Sequence, residues 1–361
     1  MPVSQLKVFS SNDLNAPQLT GLTGSLVNLL DSVLVNGYGT KGSLGWTKPL
    51  ANDSLTSSLG CWQQPSGSRM ILYVNDAAPT GSIIGGTREA WACGYEKIIG
   101  LTGSVFPTTG TGVGAFPQSG NIYVSIANGT TPSSSVWWRK STTNDAIPRN
   151  WVLFGDAHTF YLFVQAGDTI GVYYTYWFGD LFSLKNANDD YKCIIKGRMA
   201  NQNNASSYRF DAGDLLMRPT STSWLHFFAA RSVGGKGLNV ALNVIGDLGR
   251  NTAQSLATPA GGGETACEMS GIIPFPNPVD GAIHLTPLFV TEQITGAIRG
   301  RLRGLYHTNH LGQYFTDGQQ FSGANEYAGK IFQVVKTGPA TFVNSSVWVV
   351  EISPTVETNN G

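Results

Sequence analysis

Hydrophobic positions are packed most densely between Asn150 and Leu184, NWVLFGDAHTFYLFVQAGDTIGVYYTYWFGDLFSL, with polar positions confined to short breaks. Trp, Tyr, Phe and Val crowd this run, and such side chains suit a pleated, half-buried surface. Turn dipeptides cut it at Gly155-Asp156, Gly167-Asp168 and Gly179-Asp180. The pieces between the cuts are strand-sized and too short for ordinary helices. The pattern predicts consecutive antiparallel strands over Asn150–Phe154, Thr159–Gln165, Ile170–Phe178 and Leu181–Leu184, a meander that forms the core. Trp137, Trp138, Tyr174, Tyr176 and Trp177 are too dense for one side of one strand. Some of them must point away from that core, toward a helix, another sheet or another chain.

A helical period occurs once, in GSLVNLLDSVLVNGYG, where Leu26, Leu29, Leu30, Val33 and Leu34 recur at i, i+3, i+4, i+7 and i+8. Thr23 or Ser25 is placed to cap its start, and Asn36-Gly37 to end it in a left-handed conformation. The apolar stripe either packs over the β-core or docks on a partner subunit. Residues 1–19 read as extended and 38–68 as turn-rich, with Trp46 and Trp62 pinning the latter to the core. Further strands are predicted over Arg69–Val74, Glu89–Ile98, Asn121–Ala127, Val136–Lys140 and Asp190–Met199. Beyond the polar stretch 200–222 they resume at Trp224–Ala230, Leu238–Ile245, Ala282–Glu292, Ala297–Tyr306, Lys330–Lys336 and Phe342–Ile352. The stretch 249–271 reads as a long loop of the kind that serves function or an interface. The fold class is therefore all-β, mainly antiparallel sheets of sandwich or meander type, with one short N-terminal amphipathic helix. Two regions, 1–200 and 201–361, meet near the polar stretch, either as separate units or as one continuous domain.

Composition changes the picture at the surface. Charged residues are 13% of the 361, against about a quarter in ordinary soluble domains, while hydrophobic residues reach 41% and there are 44 Gly. Hydroxyls, amides and backbone must wet such a surface, and a formal net charge of +0 gives little colloidal repulsion. A subunit covered by its neighbours fits this balance better than a free enzyme. Equal basic and acidic counts predict no bulk attraction to nucleic acid or membrane. The start MPVSQLKVFSSND lacks the basic, apolar pattern of a signal peptide, and no apolar run approaches the roughly 20 residues of a membrane span. Cys61, Cys93, Cys193 and Cys267 are far apart with no CxxC, which predicts buried reduced thiols.

Candidate chemistry is sparse. There is no G-x-S-x-G, Walker A or HExxH motif. Gly110, Gly112 and Gly114 lie between Pro107 and Pro117 with no helix pattern behind them, so they read as plain loop rather than a phosphate cradle. His307 and His310, with Asp317, are too few ligands for a metal site. Asp156, Asp168 and Asp180 sit at turn tips; any two at one end of the sheet form the best carboxylate pair for glycoside hydrolysis. Arg299, Arg301 and Arg303 alternate along one strand and so share a face. They read either as a guarded edge strand or as a salt-sensitive contact to an acidic neighbour.

Several stretches resemble a family of tailed-bacteriophage virion structural proteins. These are residues 8–49 (VFSSNDLNAPQLTGLTGSLVNLLDSVLVNGYGTKGSLGWTKP), 149–164 (RNWVLFGDAHTFYLFV), 178–197, 298–310 (IRGRLRGLYHTNH) and 321–335. The resemblance implies a non-enzymatic particle component with no catalytic constellation, cofactor or metal. The expected role is a structural subunit at the head surface (decoration or minor capsid) or the head-to-tail neck or collar. It would be assembled in the host bacterial cytoplasm, homo-oligomeric, and bound to other virion proteins rather than to membrane or specific nucleic acid. Leu26, Leu29, Leu30, Val33, Arg299, Arg301 and Arg303 are the expected partner-binding residues. Two alternatives stand beside this reading: a tail-tip or fibre protein gripping host glycans through exposed Trp and Tyr, and a glycan depolymerase using turn carboxylates.

Overall fold

The structure, a computed structural model, describes residues 5–50, 58–77, 88–98, 112–117, 136–165, 167, 173–185, 188–199, 227–235, 240–245, 276–292, 297–308, 310, 314–336 and 347–352. The expected strand Asn121–Ala127 and the stretches 200–222 and 249–271 lie outside them. The first strands are β1 (Lys7–Ser10), β2 (Leu59–Gln63), β3 (Ile71–Asn75), β4 (Glu89–Tyr95), β5 (Lys97–Ile98), β6 (Gly112–Val113) and β7 (Val136–Arg139). The aromatic run supplies β8 (Asn150–Gly155), β9 (Thr159–Gln165), β10 (Tyr174–Asp180) and β11 (Phe182–Ser183). Next come β12 (Cys193–Lys196), β13 (Arg198–Met199), β14 (Phe227–Ala229), β15 (Val240–Ile245) and β16 (Leu285–Glu292). The last are β17 (Ile298–Thr308), β18 (Gln320–Ser322), β19 (Ile331–Lys336) and β20 (Val347–Ile352).

Every strand pairing is antiparallel, as the all-β reading requires. The large sheet runs β1-β8-β9-β10-β12-β14-β15-β16-β17-β20-β19-β18, and a second sheet runs β13-β7-β4-β3-β2. β12 pairs with β14 in the large sheet, so the two regions expected at 1–200 and 201–361 share it. β11 leaves the expected meander and pairs with β17, Phe182 opposite Arg301. The large sheet also meets its own start at β20, two strands short of its far end. Leu6, just before β1, forms a parallel bridge with Ile352 of β20, and its amide donates to the Glu351 carbonyl at 3.2 Å.

Period-two alternation explains how this ring is filled. Tyr161 and Phe163 of β9, Trp177 of β10, Ile194 of β12, Val290 of β16, Leu302 of β17 and Trp348 of β20 meet in one inner cluster with Leu6. Their neighbours Phe160, Leu162, Tyr176, Phe178 and Ile195 point outward into a second cluster, where the helix and the second sheet cover them. The aromatic run is thus buried on both faces, which is why its density exceeds what one face needs. Each fully buried large side chain contributes roughly 1.5–3 kcal/mol. A third cluster lies on the far side of the second sheet, and a fourth, with Tyr306, Phe332 and Val349, on the outer side of β17, β19 and β20.

Helix α1 covers Ser25–Asp31 and continues as one π-wound turn over Ser32–Asn36, ending at Gly37 with φ 77°. Its start is capped by neither Thr23 nor Ser25. The Ser25 hydroxyl donates to the Thr20 and Leu22 carbonyls, and Asp76, just beyond β3, accepts the Leu26 amide at 2.9 Å. Trp46 and Trp62 are buried as expected; their indole N–H groups bond the Asp156 carbonyl at 3.0 Å and Asp31 Oδ1 at 2.8 Å. Cys61, Cys93 and Cys193 are free and buried, and Cys267 lies outside the described residues.

Candidate functional site

β17 carries the row of arginines, and its backbone decides what each can do. Leu302 and Leu305 both enter the inner cluster although they are three apart, because Gly304, at φ +61°, breaks the alternation. Arg301 and Arg303 therefore lie on the face opposite Leu302, as their spacing predicts, while Arg299 falls at the register shift opposite Val290 and Thr291. β17 is no edge strand, since β16 flanks one side and β11 and β20 flank the other.

Arg299 is completely buried (0% exposed) and serves as an internal tie. One end of its guanidinium donates to the Arg231 carbonyl at 2.5 Å and lies 3.5 Å from Glu292; the other lies 3.4 Å from Asp189 and donates to the Tyr191 carbonyl. The partner-binding expectation is corrected here, because two buried carboxylates of the same chain already enclose this charge. Arg301 and Arg303 are different. Both reach the surface, and their guanidiniums lie 5.2 and 4.3 Å from the centroid of the half-buried Phe182 ring. Arg303 also bonds Asp156 Oδ2 at 3.1 Å. The result is a phenyl ring with two guanidiniums against it.

The helix stripe is placed elsewhere. Leu26, Leu29, Leu30 and Val33 are fully buried in the outward cluster formed with the two sheets. They offer no face to a partner, and this corrects their assignment as docking residues. A single amphipathic helix beside two sheets buries its stripe on the nearest apolar surface, its own.

The turn carboxylates do converge. Asp156 and Asp180 lie at one end of the β8-β9-β10 meander on either side of His158, while Asp168 is outside the described residues. Both are occupied by backbone and side-chain donors. Asp156 Oδ1 accepts the His158 and Thr159 amides at 2.7 and 2.9 Å, a turn-bracing use of Asp. Asp180, buried, accepts Gln64 Nε2 at 3.1 Å, the Ser68 amide at 2.9 Å and the Ser68 hydroxyl, with Lys192 3.7 Å away. Gly67 makes this close approach possible, since a Cβ there would stand 2.2 Å from Asp180 Oδ2. Ser66 Oγ is 3.5 Å from both ring nitrogens of His158, so it lies along neither lone pair and forms no nucleophile–base hydrogen bond.

The other candidates separate. Trp137, Trp138, Tyr174, Tyr176 and Trp177 are all buried. His307 packs on Trp348 with ring centroids 5.2 Å apart, and His310 Nε2 accepts the His284 amide at 3.0 Å. Asp317 instead accepts the Tyr173 hydroxyl at 3.0 Å and the Lys336 amide at 3.0 Å. Among the described residues no three His, Cys, Asp or Glu side chains gather as a metal site, and no helix is long and apolar enough to cross a membrane. Gly112 is in β6 and Gly114 packs beside Glu96, Gly110 lies outside the described residues, and among the described residues of this loop no helix starts. No protein-family model and no curated protein matches this chain.

What sequence reading missed is Phe182 as the centre of the arginine pair. Its position two residues after Asp180 marks a strand, but its partner on β17 is more than a hundred positions away.

Proposed function

We propose that this chain is a non-enzymatic structural subunit of a tailed-bacteriophage particle, present in several copies at the head surface or the head-to-tail neck. It is made in the host cytoplasm and held by other virion proteins. The observation that carries this reading is the use of the buried charged side chains. Asp76, Lys140, Asp180, Asp189, Glu292 and Arg299 each tie together segments distant in sequence instead of facing a common cleft. Such cross-ties favour one fixed shape, which is what assembly by surface matching requires. The stretches that resemble the phage family fall on the same framework. Residues 8–49 hold β1 and the helix, 149–164 the start of the meander, 178–197 β11 and β12, 298–310 β17, and 321–335 much of β18 and β19. The two alternatives draw on aromatic rings that are buried and carboxylates that are already hydrogen-bonded.

Mass spectrometry of purified particles, with cryo-electron microscopy of the same sample, tests this reading. The chain is expected at a fixed copy number and in density at the head or neck. Its absence from intact particles, or release of reducing ends from host polysaccharide by the purified chain, would overturn the reading.

A further inference from the structure

We propose that His310 is a proton-sensitive latch that holds the turn of residues 277–284 against the end of β17. Protonation of its Nε2 releases the turn.

The turn is braced from within. The Val279 amide donates to Asn277 Oδ1 at 3.1 Å, the Gly281 amide to the Asn277 carbonyl at 2.7 Å, and the Ala282 amide to Asp280 Oδ1 at 3.0 Å. The His284 ring belongs to the same unit, with Nε2 2.8 Å from Asn277 Nδ2 and 3.2 Å from Asp280 Oδ2. Its tip stands in water, and Val279 is 89% exposed. Two ties lead to the body of the protein. Ile283 packs against the outer cluster of β17, β19 and β20, and the His284 amide donates to Nε2 of His310 at 3.0 Å.

That hydrogen bond fixes a protonation state. A ring nitrogen that accepts an N–H carries a lone pair, so His310 is neutral with its proton on Nδ1. The residue is buried, at 2% exposure. A proton on Nε2 would turn the acceptor into a donor aimed at another donor, in a place where an unpaired polar group is costly. The new charge would also stand beside the His284 ring, with centroids 5.9 Å apart. Proton binding and the closed turn therefore oppose each other.

The ionisable groups on the elements around His310 have partners of their own. On β17, Tyr306 bonds Glu351, itself paired with Lys330, and His307 packs on Trp348. Past β17, Tyr314 is exposed, Phe315 meets the His310 ring edge-on, and Asp317 accepts the Tyr173 hydroxyl and the Lys336 amide. In the turn, Asp280 lies against the His284 ring, so a proton on that ring strengthens a contact inside the turn and leaves it intact as a unit. An open turn leaves His310 to the ordinary behaviour of imidazole, half-protonated at about pH 6.5. The closed turn requires the neutral form. The latch therefore holds fully above about pH 6.5 and weakens as pH falls below it; the open fraction at about pH 5.5 should be about tenfold that at about pH 7.5.

Hydrogen exchange of the purified full chain, read by mass spectrometry at those two pH values and corrected for intrinsic rates with the unfolded chain, tests the latch. Protection of a peptide spanning residues 279–285 should fall about tenfold at the lower pH, while β9 keeps its protection. His310→Gln keeps an acceptor that takes no proton, and should show equal protection at both pH values. His284→Ala keeps the donating amide, and should still lose about tenfold. No fall in the parent chain, an equal fall in His310→Gln, or a lost response in His284→Ala overturns the proposal. A fall of the same size in β9 of the parent chain is general unfolding and overturns it too. The parent chain and His284→Ala decide the outcome even where His310→Gln does not fold.

Discussion

Asp76 and Lys140 form a buried ion pair beneath the start of helix α1. Asp76 follows β3 and Lys140 follows β7, so the pair clamps two strands of the second sheet to the helix. The Asp76 carboxylate accepts the amides of Gly24 and Leu26, and the Lys140 ammonium donates to the Leu22 carbonyl and to Ser25 Oγ at 3.3 Å. A helix whose own first residues provide no side-chain cap is thus capped from across the core.

Burial pushes the Asp76 carboxyl up from 3.8 to about 6, against the opposing pull of Lys140 and of the backbone donors. Burial likewise holds the Lys140 ammonium below its ordinary value, with Asp76 opposing. A raised carboxyl favours the folded state most below its ordinary value, and that contribution is lost as pH rises through about 6. Asp76→Asn removes this dependence. The stability of the parent chain minus that of Asp76→Asn should be larger at about pH 4 than at about pH 7, by on the order of 3 kcal/mol. Urea titrations of both proteins across that range check it. A flat or inverted difference would show that the pair stays fully charged.

Arg299 and Arg301, two residues apart, should respond unequally to loss of charge. Arg299→Met leaves Asp189 and Glu292 buried without their cation, and breaking such a centre costs about 3–5 kcal/mol. Arg301→Gln, at a half-buried position beside the Phe182 ring, should cost less than Arg299→Met. Equal destabilisation of the two variants in urea would remove the distinction between internal tie and surface residue.

Gly179 is the position where the meander tolerates no side chain. Its φ is +138°, and a Cβ there would stand 2.3 Å from the His158 carbonyl oxygen and 2.4 Å from Thr159 Cα, both backbone. Neither can yield without moving β9. Gly179→Ala should destabilise by more than about 3 kcal/mol or prevent folding, since strain and overpacking add. Gly281→Ala is the control. Its φ is +69° but nothing lies within 4 Å, so conformational strain alone, about 1–2 kcal/mol, is expected. Thermal melts of the two variants give the comparison.

Local periodicity made much of this fold readable. The helix stripe at Leu26, Leu29, Leu30 and Val33 announced itself by spacing, as did β9 and the alternation of the arginines. What stayed hidden depends on distant partners. Asp76 as helix cap, Phe182 leaving the meander for β17, and Asp189 with Glu292 enclosing Arg299 are all long-range pairings that no window of sequence contains. β2 is not legible locally, because LGCWQ sits among turn residues and shows no clear alternation. The arginine row illustrates both halves. The shared face of Arg301 and Arg303 is legible, yet the register shift at Arg299 and the carboxylates that enclose it depend on segments far away in the chain.

Leu6 closes the large sheet, and its removal should reopen one seam while sparing the rest. Its side chain is fully buried in the inner cluster with Trp348 and Val350, and its amide bonds the Glu351 carbonyl. Leu6→Ala should cost about 2–5 kcal/mol, the range for a buried leucine, whereas Leu14→Ala, at a 75% exposed site, should stay within about 0.5 kcal/mol. Leu6→Pro removes the amide hydrogen as well as the side chain, so what it costs beyond Leu6→Ala reports the backbone contribution. In hydrogen exchange, Leu6→Pro should raise the rates of amides in β1 and β20, while amides of β9 and β10, paired on both sides by other strands, keep their protection. If exchange rises uniformly across all four strands, the seam is not a local closure but part of one indivisible folding unit.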